Sequence, residues 1–241
     1  MAEKRSSFSG KLGFVLATAG SAVGLGNIWR FPYLAAKYGG GIFLLVYLIL
    51  AVTFGFALMC AEIAIGRKSG VSAIGAYKKL DKRFSFIGLL AAIVPMIILP
   101  YYSVIGGWII KYLGVFVTGN MANAATDGYF ESFIAQPTEP IGWFMLFMGL
   151  TALVVLFGVE KGIEKVSKIM MPVLVVLTVF IAVYSMCMPG AFEGVLYYIT
   201  PDFSKFSATT VLSAMGQLFS SMSLSICIMI TCFSYMKNDV N

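Results

Sequence analysis

Apolar residues gather in six long runs along the chain, each bounded by charged residues or by clusters of Pro and Gly. A run of about 20 apolar residues is what a helix needs to cross the hydrocarbon core of a bilayer. Lipid offers no partner for a free amide or carbonyl, so a segment that spans it must satisfy its own backbone as a helix. The pattern predicts spans at roughly 11–37, 41–66, 84–117, 140–157, 165–187 and 206–235, with Pro95 and Pro100 inside the third. The expected fold is an all-α membrane protein of about six transmembrane helices.

Two of these spans break the pattern. The first carries "AGSAVGLGNIWRFPY" at 19–33, which holds Gly20, Gly24 and Gly26 within seven residues, then Asn27, Arg30 and Pro32. Each glycine costs about 1 kcal/mol against Ala inside a helix. Gly20 and Gly24 are four apart and read equally as a small-residue packing face. Gly26 and Asn27 lie off that stripe and favour a local break. The sixth span carries Ser220, Ser221, Ser223 and Ser225 within six residues, one turn after Gln217. Serine hydroxyls offer the backbone an alternative to the helical ladder, though serines are also common at helix contacts. Backbone opened at membrane depth is tolerated only where it lines a cavity or binds an ion. Glu62, an acid within the second span, is either functional or the partner of an exposed backbone amide.

Composition supports the membrane reading. Of 241 residues, 59% are hydrophobic and 12% charged, against about 25% charged in a soluble domain. The net charge of +6 raises the question of nucleic-acid binding, but its distribution removes it. One set of loops holds Lys4, Arg5, Lys11, Arg67, Lys68, Lys78, Lys79, Lys82, Arg83, Lys161, Lys165, Lys168 and Lys237. The opposite set holds Arg30, Lys37 and Lys205 with Asp127, Glu131, Glu139, Glu193 and Asp202. This asymmetry places the N-terminus, including a tail at 1–10, on the cytoplasmic side. With six spans the C-terminus is cytoplasmic too. The partners are a lipid bilayer and no nucleic acid. The first apolar run continues through Asn27 and Arg30, unlike a cleaved signal peptide. The external loop at 119–139 has no N-x-S/T site, and a bacterial plasma membrane is the expected location.

Catalytic chemistry finds no support. There is no His, and Cys60, Cys187, Cys227 and Cys232 form no C-x-x-C pair. A zinc site and a disulfide framework are both unexpected. No nucleophile–base pair is visible, and "GLGNIW" lacks the third glycine and preceding strand of a dinucleotide fingerprint.

The string "GKLGFVLATAGSAVGLGNIWRFPYLAAKYGGGIFLLVYLI" strongly resembles the first helix and the start of the second in neurotransmitter:sodium symporters, a family that includes bacterial leucine and hydrophobic amino-acid transporters. "AEIAIGR", "PYYSVIGGW" and "GQLFSSMSLS…TCFSYM" extend the resemblance over the whole chain. It implies a fold of two inverted five-helix repeats with helices 1 and 6 discontinuous, an arrangement of which this family is itself the type case. This chain would then supply the first repeat, residues 11–187, and helix 6 at 206–235 as the start of the second, within one transmembrane domain. On that reading it is truncated at the C-terminus and is not expected to transport by itself.

The resemblance also implies a site. One sodium ion would be held by Ala22, Asn27 and Ser221 together with the substrate carboxylate, and a second by backbone oxygens of Gly20 and Val23. An amino-acid substrate would meet Ser21, Ala22 and Gly26 of helix 1, Ile98 and Tyr102 of helix 3, and Ser220, Ser221, Ser223 and Ile226 of helix 6. Ser220 stands where the family usually has a phenylalanine that closes over the substrate. Gly24 replaces the aspartate of monoamine members and implies a substrate that brings its own carboxylate. Arg30 resembles the external gate, and Arg5 and Tyr235 the internal one, with Phe8 in place of a family tryptophan. Tyr47, Gln217 and Ser221 match three chloride ligands, the deciding helix 7 residue lying outside this sequence. The implied function is sodium-coupled symport of a neutral amino acid by alternating access. The alternative is a non-transporting membrane subunit, or a truncated relic of such a transporter.

Overall fold

The computed structural model of the chain describes residues 11–24 and 26–235. The first span is α1 (Lys11–Ala22), a π-helical stretch at Gly26–Arg30, and α2 (Phe31–Lys37). The second is α3 (Gly41–Leu50), a π-helical stretch at Ala51–Gly55, and α4 (Phe56–Ser69), followed by the short α5 (Ala73–Leu80). The third is α6 (Ser85–Val117), which keeps Pro95 and Pro100 within one helix. The loop after the third span holds α7 (Met121–Ala124) and α8 (Tyr129–Ala135); the fourth span is α9 (Thr138–Leu156). A π-helical stretch at Val159–Glu164 leads into α10 (Lys165–Met186), the fifth span. After α11 (Ala191–Ile199), the sixth span is α12 (Ala208–Ser221) and α13 (Ile228–Ser234). The all-α reading holds, with helices at all six stretches and the first and sixth discontinuous.

Among the described residues, four stretches are long and apolar enough to cross a membrane as helices: Gly41–Ser69, Lys82–Val117, Thr138–Leu156 and Lys161–Met186. The first and sixth fall short because they are interrupted; the apolar piece of the first is Gly13–Ala22. In the most apolar window of α9, 0% of residues are buried within the protein. A long apolar helix with no fully buried residue in that window is what lipid accommodates.

The chain divides into two compact units, residues 1–92 with 159–241, and residues 93–158. In the first, α12 packs on α3, α13 on α4, and α1 on α10. Leu34, Ala35, Phe43 and Ala214 form one buried cluster. Ala73, Ala76, Cys227 and Ile230 form a second, and Phe14 with Ala17 a third. The "GGG" run has a local cause. Gly39 and Gly40 take φ of +95° and +59°, a region costly to any residue with a Cβ. A Cβ on Gly40 would also strike the Tyr197 carbonyl, and one on Gly41 the Thr200 carbonyl. The turn between the first two spans is thus clamped to α11, where the Tyr197 hydroxyl donates to Ala36 O at 2.9 Å.

In the second unit, Gly106 and Gly107 let α9 approach α6: a Cβ on Gly107 would lie 2.8 Å from Phe144 N. Lys111 pairs with Glu139, and its ammonium lies 5.3 Å from the Phe133 ring centroid and 5.9 Å from that of Tyr129.

Candidate functional site

The two breaks face each other within the first unit. α1 ends at Ala22; Val23 and Gly24 bend away, and hydrogen bonding resumes with Asn27 N donating to Gly24 O at 3.0 Å. The Asn27 amide folds back and donates through Nδ2 to Ala22 O at 2.9 Å. Its Oδ1 is left buried with no partner among the described residues. Buried amide oxygens are nearly always satisfied, so an orphan of this kind is a candidate binding point.

The sixth span opens after Ser221. Ser223, Ser225 and Cys227 all take positive φ, at 51°, 61° and 65°. Left-handed backbone costs an L-residue roughly 1–2 kcal/mol. The helix restarts with Thr231 N donating to Cys227 O at 3.0 Å. Three alternate residues in that conformation turn the chain out of its helical path.

Two side chains bind the two openings together, and a third ties the sixth span to α4. Ser223 Oγ donates to Ser21 O at 2.7 Å. Gln217 Nε2 donates to Gly26 O at 2.8 Å and to Ser221 Oγ at 3.0 Å. Glu62 Oε1 accepts from Ser225 N at 2.6 Å. Glu62 therefore has the backbone-amide partner that one of its two readings required.

The sequence-predicted residues separate into those that meet and those that do not. Ser21, Ala22, Gly26 and Asn27 of the first span come together with Gln217, Ser221 and Ser223 of the sixth. Gly20 faces α10, where an added Cβ would lie 3.4 Å from Met171 Sδ and 3.8 Å from Ser167 Oγ. Val23 is exposed, while Ser220 and Ile226 are half-buried beside the opening of the sixth span. Tyr47 lies edge-on to Phe31, 5.0 Å between centroids, and packs with the cluster that includes Ala214 of α12. Ile98 and Tyr102 belong to the second unit, where Tyr102 meets Tyr101 at 5.8 Å between centroids. Arg30 is exposed, and Tyr235 packs against the Phe14 cluster. Arg5 and Phe8 lie outside the described residues.

The sequence pattern missed two features. No residue type announces the π-helical stretches at Ala51–Gly55 and Val159–Glu164. Nor does any signal announce left-handed backbone at Ser225 and Cys227, since non-glycine residues seldom adopt it. Outside the spans, Asp202 accepts from Ser204 N at 3.0 Å and Ser204 Oγ at 2.6 Å, which holds its carboxyl below the usual range. Tyr77 of α5 is pushed above the usual phenol range by burial and then by the Glu62 charge.

Known proteins match this arrangement over the chain's whole length. The model of the sodium:neurotransmitter symporter family matches residues 5–135 and 134–241. An uncharacterized sodium-dependent transporter of Bacillus subtilis, YhdH, is 38% identical over 244 residues, covering 99% of this chain and 54% of that protein. The human sodium-dependent neutral amino acid transporter SLC6A17 is 32% identical over 273 residues, covering 100% of this chain and 37% of that protein. The crystal structure of MhsT in complex with L-phenylalanine superposes with a TM-score of 0.90 at 42% identity, covering 98% of this chain and 55% of MhsT. The chain thus spans about half the length of the B. subtilis relative.

Proposed function

We propose, for a chain that belongs to the sodium:neurotransmitter symporter family, that it supplies the first repeat and helix 6 of a sodium-coupled amino-acid symporter. The family is one of sodium-dependent transporters and not of enzymes, and the apolar spans are those of a multi-pass membrane protein. The proposal is that the full-length protein moves a neutral amino acid, with its carboxylate near Ala22 and Gly26 and its side chain toward Ser220, Ser223 and Ile226. Ser21 completes the substrate set on this unit, and Ser221 serves both substrate and ion. The L-phenylalanine held by MhsT makes a large apolar amino acid the first candidate.

The observation that carries this reading is the orphaned Asn27 Oδ1, buried beside Ala22 O where the two breaks meet. Amide and carbonyl oxygens suit a hard monovalent cation, by extension from calcium and magnesium sites. Gly20 and Val23, in and just past the last turn of α1, lie among carbonyls that lack helical donors, as at any helix C-terminus, and would serve a second sodium ion. Arg30 would guard the external side, and Arg5 with Tyr235 the cytoplasmic side. Uptake by proteoliposomes carrying the full-length gene product is expected to require sodium; uptake indifferent to sodium defeats the coupling. Gln217 and Ser221 already touch, with Tyr47 near the same helix pair, so replacing chloride by gluconate in that assay decides whether this trio uses chloride.

A further inference from the structure

The Glu62 carboxylate is half used. Oε1 accepts from Ser225 N, while Oε2 is buried without a partner among the described residues. Glu62 is only 6% exposed, and no ion pair joins it to a cation among the described residues. A buried carboxylate without a counter-charge is costly, so a group that neutralises Oε2 gains by entering.

There is room for one. Glu62 lines a cavity of about 240 Å³ bounded by α4, α5, the start of α6 and the reopened sixth span. Its walls are apolar on three sides: Leu58, Ala61 and Ile65 from α4, Ile87 and Ala91 from α6, and Ile230 from α13. Tyr77 and Cys227 place a hydroxyl and a thiol on the same lining. Too few oxygens converge there for a bare metal cation, which would need a nearly complete oxygen shell. An apolar pocket with one convergent charge is the general form of a small-molecule site.

We propose that this cavity binds a primary ammonium bearing a compact apolar group, with the ammonium on Glu62 Oε2 and the apolar group against Leu58, Ile87, Ala91 and Ile230. The site is separate from the meeting point of the two breaks, which Asn27, Ser21 and Ser223 mark. An occupant ties α13 to α4 and α5 and so restrains the inner half of the sixth span. Such an amine would slow any motion that requires α13 to leave α4, whatever the transported substrate.

Cys227 supplies a reporter inside the site. In full-length protein whose other cysteines are replaced by alanine, the rate of Cys227 alkylation by a small maleimide is measured with 2-phenylethylamine and with its uncharged counterpart 2-phenylethanol. The amine is expected to slow alkylation saturably, at least fivefold, and the alcohol to leave it nearly unchanged. Ala91→Phe, which fills the cavity and keeps Glu62, is expected to abolish the protection, and Glu62→Gln to weaken it. Asn27→Ala is expected to leave it intact. Equal protection by amine and alcohol, no protection by either, or protection lost in Asn27→Ala but retained in Ala91→Phe would each overturn the proposal.

Discussion

The fourth span and the sixth are both apolar helical segments, yet they solve the membrane in opposite ways. α9 is unbroken from Thr138 to Leu156, with none of its most apolar window buried in protein. The sixth span stops at Ser221, runs through left-handed residues, and restarts at Ile228, while burying Ala214, Gln217, Leu218, Ser221, Ser223 and Leu224. The unbroken helix satisfies its own backbone and needs only lipid. The broken spans give up helical hydrogen bonds and depend on neighbours to replace them: the Ser223 hydroxyl donates to Ser21 O and Gln217 Nε2 to Gly26 O of the first span, and Glu62 accepts from Ser225 N of the sixth. The proposed site sits where the backbone has lost its independence.

That contrast breaks most readily at a core side chain. Leu218 of α12 is 0% exposed, so Leu218→Ala leaves a cavity between the broken span and its support. The expected cost is about 2–5 kcal/mol, read as a lower thermal midpoint of the detergent-solubilised full-length protein. A midpoint unchanged from the parent would mean that the sixth span is not held by packing. Next in size is Asn27→Ala, which removes the orphan oxygen and the bond to Ala22 O. A lost contact to a charged partner is worth about 1.5–3 kcal/mol, or roughly tenfold to hundredfold in apparent sodium affinity. Sodium dependence that survives the substitution would place the ion elsewhere.

Two serines sharpen the comparison from within the break. Ser223→Ala leaves Ser21 O without its donor and is expected to cost about 1 kcal/mol, seen as a several-fold weaker substrate affinity with little change in expression. Ser225→Gly should act in the other direction. Glycine takes φ of +61° without a Cβ penalty, and the amide that serves Glu62 is kept. The expected gain is about 1 kcal/mol, measured as a raised thermal midpoint. A fall in midpoint would show that the left-handed turn is not strained.

Much of the scaffold could be read from sequence because hydropathy reports on lipid, and lipid faces most of these helices. The expected span at 84–117 became α6, Ser85–Val117, and that at 165–187 became α10, Lys165–Met186. The breaks were legible too, from Gly24, Gly26 and Asn27 in one span and from the serines in the other. What hydropathy could not report was partnership. Nothing along the chain indicates that Gln217 reaches Gly26, 191 positions away, or that Glu62 takes an amide made available by Ser225. Those contacts depend on where a broken helix is carried by its neighbours, and that is decided by packing. Nor could spacing reveal left-handed backbone at Cys227, because the residue there is one that ordinarily avoids it.

The smallest expected effect tests the other side of the comparison. Leu150 lies in α9 and is 53% exposed. If lipid covers that face, Leu150→Ala trades one apolar contact with lipid for a slightly smaller one. No cavity remains, because acyl chains flow into the space, and no polar group is uncovered. The change in thermal midpoint should correspond to about 0.5 kcal/mol or less, several times below the cost of the same substitution at Leu218. A loss at Leu150 as large as that at Leu218 would mean that protein, not lipid, covers this face of α9. The distinction between a self-sufficient helix and a dependent one would then fail at the helix that displays it best.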